Sequence, residues 1–543
     1  LDAKSCSVSE LSEQTGSEND CTGSTEQSHI IRSKRFKSLH TEASFVSAIC
    51  LTQFLAEYLI TGFAIALPRT LARITDANAL STGLFWPATL LTLILSAFLL
   101  VAARISDKYG GFYPFMAGVI WLAIWSLIAG LAPGIIWLDV CRANQGLGIA
   151  FFTPSIFALV ADAYNDGRRK NIVLGLYAGF APLGFFAGFL IASVLPDDGV
   201  SWYFWIAAIV AAIAVALTCL SAPRAKSSTT AGAHLDMDWV GSFLITAGLL
   251  LVTYGLAVIP YTSTSREDGG IASPLVLGPL LTGIVCLIVA VWVEGWVAPS
   301  PLLPMAFFQA REVQILALAC LFFYASYGVW LYDSVLFLQN HGIQGAQMAI
   351  WYTPTAVGGT IICICGGALL HYVSPKVLLC ISGFAWVAAP LLLALCPTPV
   401  SYWAYIVPSM LCITLGIDLT YTVSLVCITR VQPAHYQALA GAVCSILVNL
   451  AITFSLPISE IVSKQAEVRF VSSSNHITRS DAVRDDNASL VGLQAAFLYA
   501  AASAGVGLML SVAHACIPAS TARGRLSDVE GHGGAELTAS TSP

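Results

Sequence analysis

Residues 203–221 read YFWIAAIVAAIAVALTCLS, an apolar run without a charged side chain. A helix rises about 1.5 Å per residue, so such a run crosses a hydrocarbon core about 30 Å thick. Inside that core every backbone N–H and C=O has to be paired internally, which leaves helices or a closed barrel. The run does not alternate strictly, and comparable runs recur along the chain, so helices are the reading. Composition agrees. Of 543 residues, 57% are hydrophobic and 10% charged, against about 25% charged in a soluble domain.

The expected fold is therefore an all-α polytopic membrane protein with about 14 transmembrane helices. The runs fall at 44–67, 82–102, 114–132, 136–161, 172–194, 203–221, 239–259, 274–293, 314–338, 347–370, 377–396, 401–428, 437–462 and 491–513. Residues 1–43, rich in Ser, Thr and Glu, read as a disordered polar tail. No apolar core follows a basic start there, so a cleaved signal peptide is not expected. Residues 514–543 form a second polar tail.

An even count of spans puts both tails on one side, and the distribution of Lys and Arg says which. Of the 25 basic residues, Arg142 falls inside a span, seven lie in outer loops and the other 17 in inner segments when the tails are cytoplasmic. The sequon Asn487-Ala488-Ser489 then faces outward, making Asn487 the expected glycosylation position. The expected location is the plasma membrane, with a vacuolar or vesicular membrane as the alternative.

The same sequence excludes other classes. No loop is long enough to hold a nucleotide-binding domain, and no G-x-x-x-x-G-K-[S/T] loop occurs. An ion gradient, not ATP, is the expected energy source. Thirteen of the 15 cysteines are scattered singly in or beside apolar runs, as small core residues. Cys363 and Cys365 share one span without His partners, so no metal is expected. No H-E-x-x-H pair appears, no span carries two acids at a shared catalytic spacing, and an enzyme is not expected. The expected partners are a small-molecule substrate, the lipid bilayer and protons, with no nucleic acid and no cofactor beyond a proton gradient.

Acids within spans are costly and usually mark pathways. Glu57 sits in the middle of the first span, with Gln53 and Thr61 one turn to either side. Asp418 is central in span 12, with Thr414, Tyr421 and Thr422 on its face, while Ser445 and Asn449 continue a polar stripe along span 13. Asp333 lies toward the outer end of span 9. Glu57, Asp418 and Asp333 are the proton-coupling candidates; the polar neighbours are candidates for a cavity wall. The alternative for each acid is a fixed hydrogen bond between helices.

Three stretches carry a resemblance. Between spans 2 and 3 stands Ala103-Arg104-Ile105-Ser106-Asp107-Lys108-Tyr109-Gly110-Gly111. Span 4 holds Arg142-Ala143-Asn144-Gln145-Gly146-Leu147-Gly148, and span 5 holds Gly175, Gly179, Pro182, Gly184 and Gly188. These resemble, in turn, the loop G-x-L-x-D-R-x-G-R-R, the motif R-x-x-Q-G-x-G and the antiporter motif G-x-x-x-G-P-x-x-G-G of the major facilitator superfamily. With the span count, they look like its fourteen-spanner drug:proton antiporter branch, fungal type. Departures are Ala103 for the opening Gly, Gly111-Phe112 for basic residues, Ala181 before Pro182, and Leu59 where that branch has an acid.

The resemblance implies two six-helix bundles, 44–221 and 313–513, with 222–312 as a linker carrying inserted helices 7 and 8. It implies that Asp107, Gly110, Arg142, Gln145, Gly146, Gly148, Gly179 and Pro182 support a conformational cycle. Asp139, one turn before Arg142, is the expected partner of its charge. The expected function is proton-coupled efflux of a small organic compound such as a drug, toxin or secondary metabolite. Uptake of a small nutrient is the alternative, and a non-transporting membrane receptor a further one.

Overall fold

A computed structural model of the chain describes residues 38–74, 86–164, 168–196, 199–221, 238–262, 273–298, 305–431, 437–473 and 481–516. Helices α1 (Leu39–Thr61), α2 (Phe63–Ile74), α3 (Trp86–Tyr109), α4 (Phe112–Ala129), α5 (Ile135–Ala163), α6 (Arg168–Val194) and α7 (Ser201–Ser221) make the first half. Then come α8 (Trp239–Thr262) and α9 (Pro274–Trp292), followed by α10 (Arg311–Asn340), α11 (Ala346–Tyr372), α12 (Pro375–Ala394), α13 (Val407–Val431), α14 (Gln437–Ser473) and α15 (Asp481–Cys516). The molecule is an all-helical polytopic membrane protein: among the described residues 13 helices are long and apolar enough to cross a bilayer. A further long helix, α11, covers the expected span 347–370.

The first expected span is not one helix. It breaks at Gly62, between α1 and α2. A Cβ on Gly62 would lie 2.5 Å from the Cα of Gly188 on α6, so only two facing glycines permit this approach. Pro68, inside α2, has no N–H to return to the carbonyl four residues earlier, which weakens the helix on the same side of the bend. The last two helices exceed the expected spans: α14 has 37 residues and α15 has 36, against about 20 for a crossing.

Packing divides the helices. In the first half α5 lies against α3 and α4, and α1 against α6 and α7. In the last six, α15 packs on α10 and α12, and α13 on α11 and α12. These two groups meet along two seams, α3 with α14 and α6 with α11. Helices α8 and α9 pair with each other, and α8 leans across the first seam. There Leu249 packs with Leu93 and Ala97 of α3, and Thr246 Oγ1 donates to Ala97 O at 3.2 Å.

One end of the inter-half space is shut. Tyr332 of α10 donates to Ile60 O at 3.2 Å, and the rings of Phe189 and Tyr352 lie 4.4 Å apart. Arg69 of α2 donates to Ala192 O, Ser193 O and Leu195 O, satisfying carbonyls that the end of α6 leaves open. Toward the other end, carrying the starts of α1 and α6, the space widens into a cavity.

Candidate functional site

The cavity has a volume of about 320 Å³ and takes its walls from α1, α3, α5 and α6 of one half and α10, α11, α13 and α14 of the other. That size suits a small organic molecule. Glu57 enters from α1 and Asp418 from α13, so the two carboxylates face one chamber from opposite halves. Gln53, Thr414, Tyr421, Thr422, Ser445 and Asn449 also line it. None of the lining side chains is basic. Both acids are half-buried. The Glu57 carboxylate makes no hydrogen bond or ion pair among the described residues, which leaves it available to water, a proton or a ligand.

Aromatic rings complete the wall. Tyr324, Tyr327 and Tyr421 line the cavity, and Tyr327 stands within electrostatic reach of both Glu57 and Asp418. Tyr324 is fixed by donating to Ile417 O at 3.1 Å. Tyr177, Phe157 and Phe185 were missed by the sequence reading. Their signal was present: Tyr177 lies between Gly175 and Gly179, in the glycine-rich stretch of span 5.

Other candidates are placed elsewhere. Thr61 is buried in packing, its hydroxyl bonded to Glu57 O at 2.6 Å, and does not line the cavity. The expected 53–57–61 face ends there because α1 ends there. Asp333 is also outside the cavity; it is buried between α10 and α14, where Ser459 Oγ donates to Asp333 Oδ2 at 2.8 Å. Tyr58 and Trp330 are likewise packed away: Tyr58 and Tyr203 exchange hydroxyl-to-carbonyl bonds, and Trp330 Nε1 donates to Ser409 Oγ at 3.0 Å.

The Arg142 motif is a packing and hydrogen-bonding device at the bend. Arg142 is fully buried. Its guanidinium donates to Pro87 O at 3.2 Å, Leu59 O at 3.0 Å and Gln145 Oε1 at 3.0 Å, and lies 3.9 Å from the centre of the Phe63 ring. The ion pair expected with Asp139 is not formed. The planar fork of arginine suits several acceptors in one plane, and backbone carbonyls from two other helices lie closer to it than Asp139 does. Gln145 Nε2 in turn donates to Ser126 Oγ at 3.1 Å. A Cβ on Gly146 would lie 2.3 Å from Leu91 O, and one on Gly148 would lie 2.9 Å from Gly118 O, so α5 closes tightly on α3 and α4.

The glycines of span 5 divide in two. Gly184 faces Phe54 O and Gly188 faces Tyr58 O, at 2.3 and 2.9 Å from their notional Cβ positions, so both allow α6 to press on α1. Gly175 and Gly179 make no such approach: nothing described lies within 4 Å of a Cβ at either. Pro182 lines the cavity. In the loop after α3, Gly110 has φ +83°, a left-handed turn that glycine adopts without strain. The side chains of Asp107 and Asn487 lie outside the described residues. Among those described, no three His, Cys, Asp or Glu side chains gather as metal ligands would.

Two helical halves enclosing a mostly apolar chamber that holds two carboxylates define a polytopic transporter of small molecules. The chain belongs to the Major Facilitator Superfamily, whose family model matches residues 49–456; it is a secondary transporter and not an enzyme. It is 29% identical over 449 residues to a protein named efflux pump terJ of Aspergillus terreus, with 81% of this chain and 84% of that one covered. It is 28% identical over 448 residues to a protein named low affinity ammonium transporter of Saccharomyces cerevisiae, covering 80% and 84%. Among solved structures, the nucleoside transporter NupG shares the fold, with a TM-score of 0.56, 12% identity, and 88% of this chain and 100% of that one covered.

Proposed function

We propose that this transporter is a proton-coupled exporter of a small, partly apolar organic compound, of the fourteen-spanner drug:proton antiporter branch. The observation that carries the reading is the convergence of Glu57 and Asp418 on one aromatic-walled cavity from opposite halves. A carboxylate in low dielectric favours its protonated form, and a substrate seated beside it changes that preference. Proton binding and substrate binding are thereby made to compete. The tails face the cytoplasm in this reading, so the cavity is open inward, and the membrane is the plasma membrane.

The cycle follows from that competition. With the cavity inward, substrate enters between Glu57 and Asp418 and a proton leaves. The halves, 44–221 and 313–513, rock about the α3/α14 and α6/α11 seams, with the helices of 222–312 following. The substrate leaves outside, the acid pair takes up one proton there, and the protonated chamber returns. Asp107, Gly110, Gly179 and Pro182 support the turn and helix shape that this motion needs, and Arg142 with Gln145, Gly146 and Gly148 holds the bend.

A second reading is uptake, favoured by the relative named low affinity ammonium transporter. Direction of flux separates the two. In reconstituted vesicles loaded with fluorescent dyes such as rhodamine 6G and ethidium, a pH gradient should drive dye movement, and Glu57→Gln or Asp418→Asn should leave movement indifferent to the gradient. Dye movement that ignores the gradient in the unsubstituted protein, or that keeps its dependence in both variants, defeats the coupling proposal.

A further inference from the structure

The carbonyls of the last turn of a helix have no intrahelical partner and take whatever donors reach them. Because α1 stops at Thr61, this happens at the bend beside the cavity. Three side chains from three helices hold three successive carbonyls there. Tyr203 of α7 bonds Tyr58 O, which also accepts from Gly62 N–H at 3.2 Å, while Arg142 of α5 bonds Leu59 O at 3.0 Å and Tyr332 of α10 bonds Ile60 O at 3.2 Å. The first two donors belong to the same half as α1, and the third belongs to the other half.

Ile60 itself lines the cavity, one turn beyond Glu57. Tyr332 is buried, so its bond is shielded from water while the end stays shut. A second hydrogen bond between halves, Thr453 Oγ1 to Thr92 Oγ1 at 3.0 Å, sits in the α3/α14 seam. Thr453 also has an acceptor within its own helix, Asn449 O at 2.7 Å, to which its proton can turn.

We propose that Tyr332 is the positioning residue that sets how readily the shut end opens. The hydroxyl-to-carbonyl bond joins the α1 bend of one half to α10 of the other, and it has to break before the chamber can face that side. Arg142 and Tyr203 keep the bend with the first half, so the break falls between the halves and not within one. Glu57 is carried on the same helix a turn away, which places the latch next to the acid whose occupancy changes.

The proposal rests on the chamber opening alternately to two sides, and its test uses neither substrate nor gradient. It therefore fails separately from the coupling proposal. Spin labels carried by unnatural amino acids would replace the exposed Leu131 and Leu395, which lie past the shut-end termini of α4 and α12 in the two halves. Pulsed dipolar spectroscopy on the full chain in nanodiscs then reports the distance between the halves at that end. Tyr332→Phe keeps the ring and removes the hydroxyl, and should raise the ratio of long-distance to short-distance molecules about fivefold, the equilibrium shift expected of one hydrogen bond. Tyr203→Phe removes a hydroxyl-to-carbonyl bond two residues earlier on α1 but within a half, and should leave that ratio unchanged. A Tyr332→Phe distribution equal to that of the unsubstituted protein, or an equal shift in Tyr203→Phe, overturns the assignment. Thermal melting of both variants verifies that each is folded.

Discussion

Gly62 and Gly188 meet backbone on backbone: a Cβ on Gly62 would sit 2.5 Å from the Cα and 2.6 Å from the carbonyl carbon of Gly188. Neither helix can yield, because the opposing atoms are main chain. Gly62→Ala or Gly188→Ala should therefore destabilise the protein by at least about 1–3 kcal/mol, the cost of overpacking. Gly179→Ala, with open space at its Cβ, should be neutral or stabilising by up to about 1 kcal/mol. Melting in detergent measures the contrast. Equal losses at Gly62 and Gly179 would contradict the packing described.

Arg142 is satisfied by carbonyls, Gln145 and the Phe63 face, not by a carboxylate. Arg142→Lys cannot supply the fork, and leaves at least one buried acceptor without its donor, at about 1–3 kcal/mol. Asp139→Asn should change the melting temperature much less than Arg142→Lys. If the two substitutions lower it equally, an ion pair is the better account of this arginine.

Gly359 lines the cavity between the halves. Its notional Cβ lies 3.3 Å from Asp418 Oδ2 and 3.4 Å from both Pro182 Cβ and Thr414 Cγ2. Gly359→Ala needs shifts of a few tenths of an ångström and should transport nearly normally. Gly359→Leu projects into the chamber and should slow transport about tenfold or more, the rate equivalent of about 1.4 kcal/mol of crowding. Melting in detergent checks that both variants remain folded. Dye flux from vesicles, normalised to inserted protein, reads this out.

Asp333 is held by Ser459 outside the chamber, and Asp418 lines it. Asp333→Asn should alter stability by about 1 kcal/mol through that hydrogen bond while transport still follows the pH gradient. Asp418→Asn should lose the gradient dependence. Loss of coupling in Asp333→Asn with coupling intact in Asp418→Asn would move the proton site out of the cavity.

Much of the polar part of the chamber wall was legible in the sequence. Gln53 and Glu57, the group around Asp418, and Ser445 with Asn449 were picked out by helical spacing alone, because polar groups within an apolar span need a wet or polar face. Thr61 fails the same rule, since the rule assumes a helix that continues past it. The pairing of Asp139 with Arg142 fails for a related reason: spacing along a helix reports which groups are near in sequence, while the guanidinium reaches Leu59 and Pro87, which lie on other helices.

The sequence by itself determined that the chain crosses a membrane as many helices, and which residues break the apolar pattern, because in lipid the backbone has to satisfy itself segment by segment. Only the tertiary structure decided which of those residues share a chamber, where α1 bends and which carbonyls Arg142 and Tyr332 hold. Those outcomes depend on contacts between helices distant in the chain, and no local periodicity encodes them.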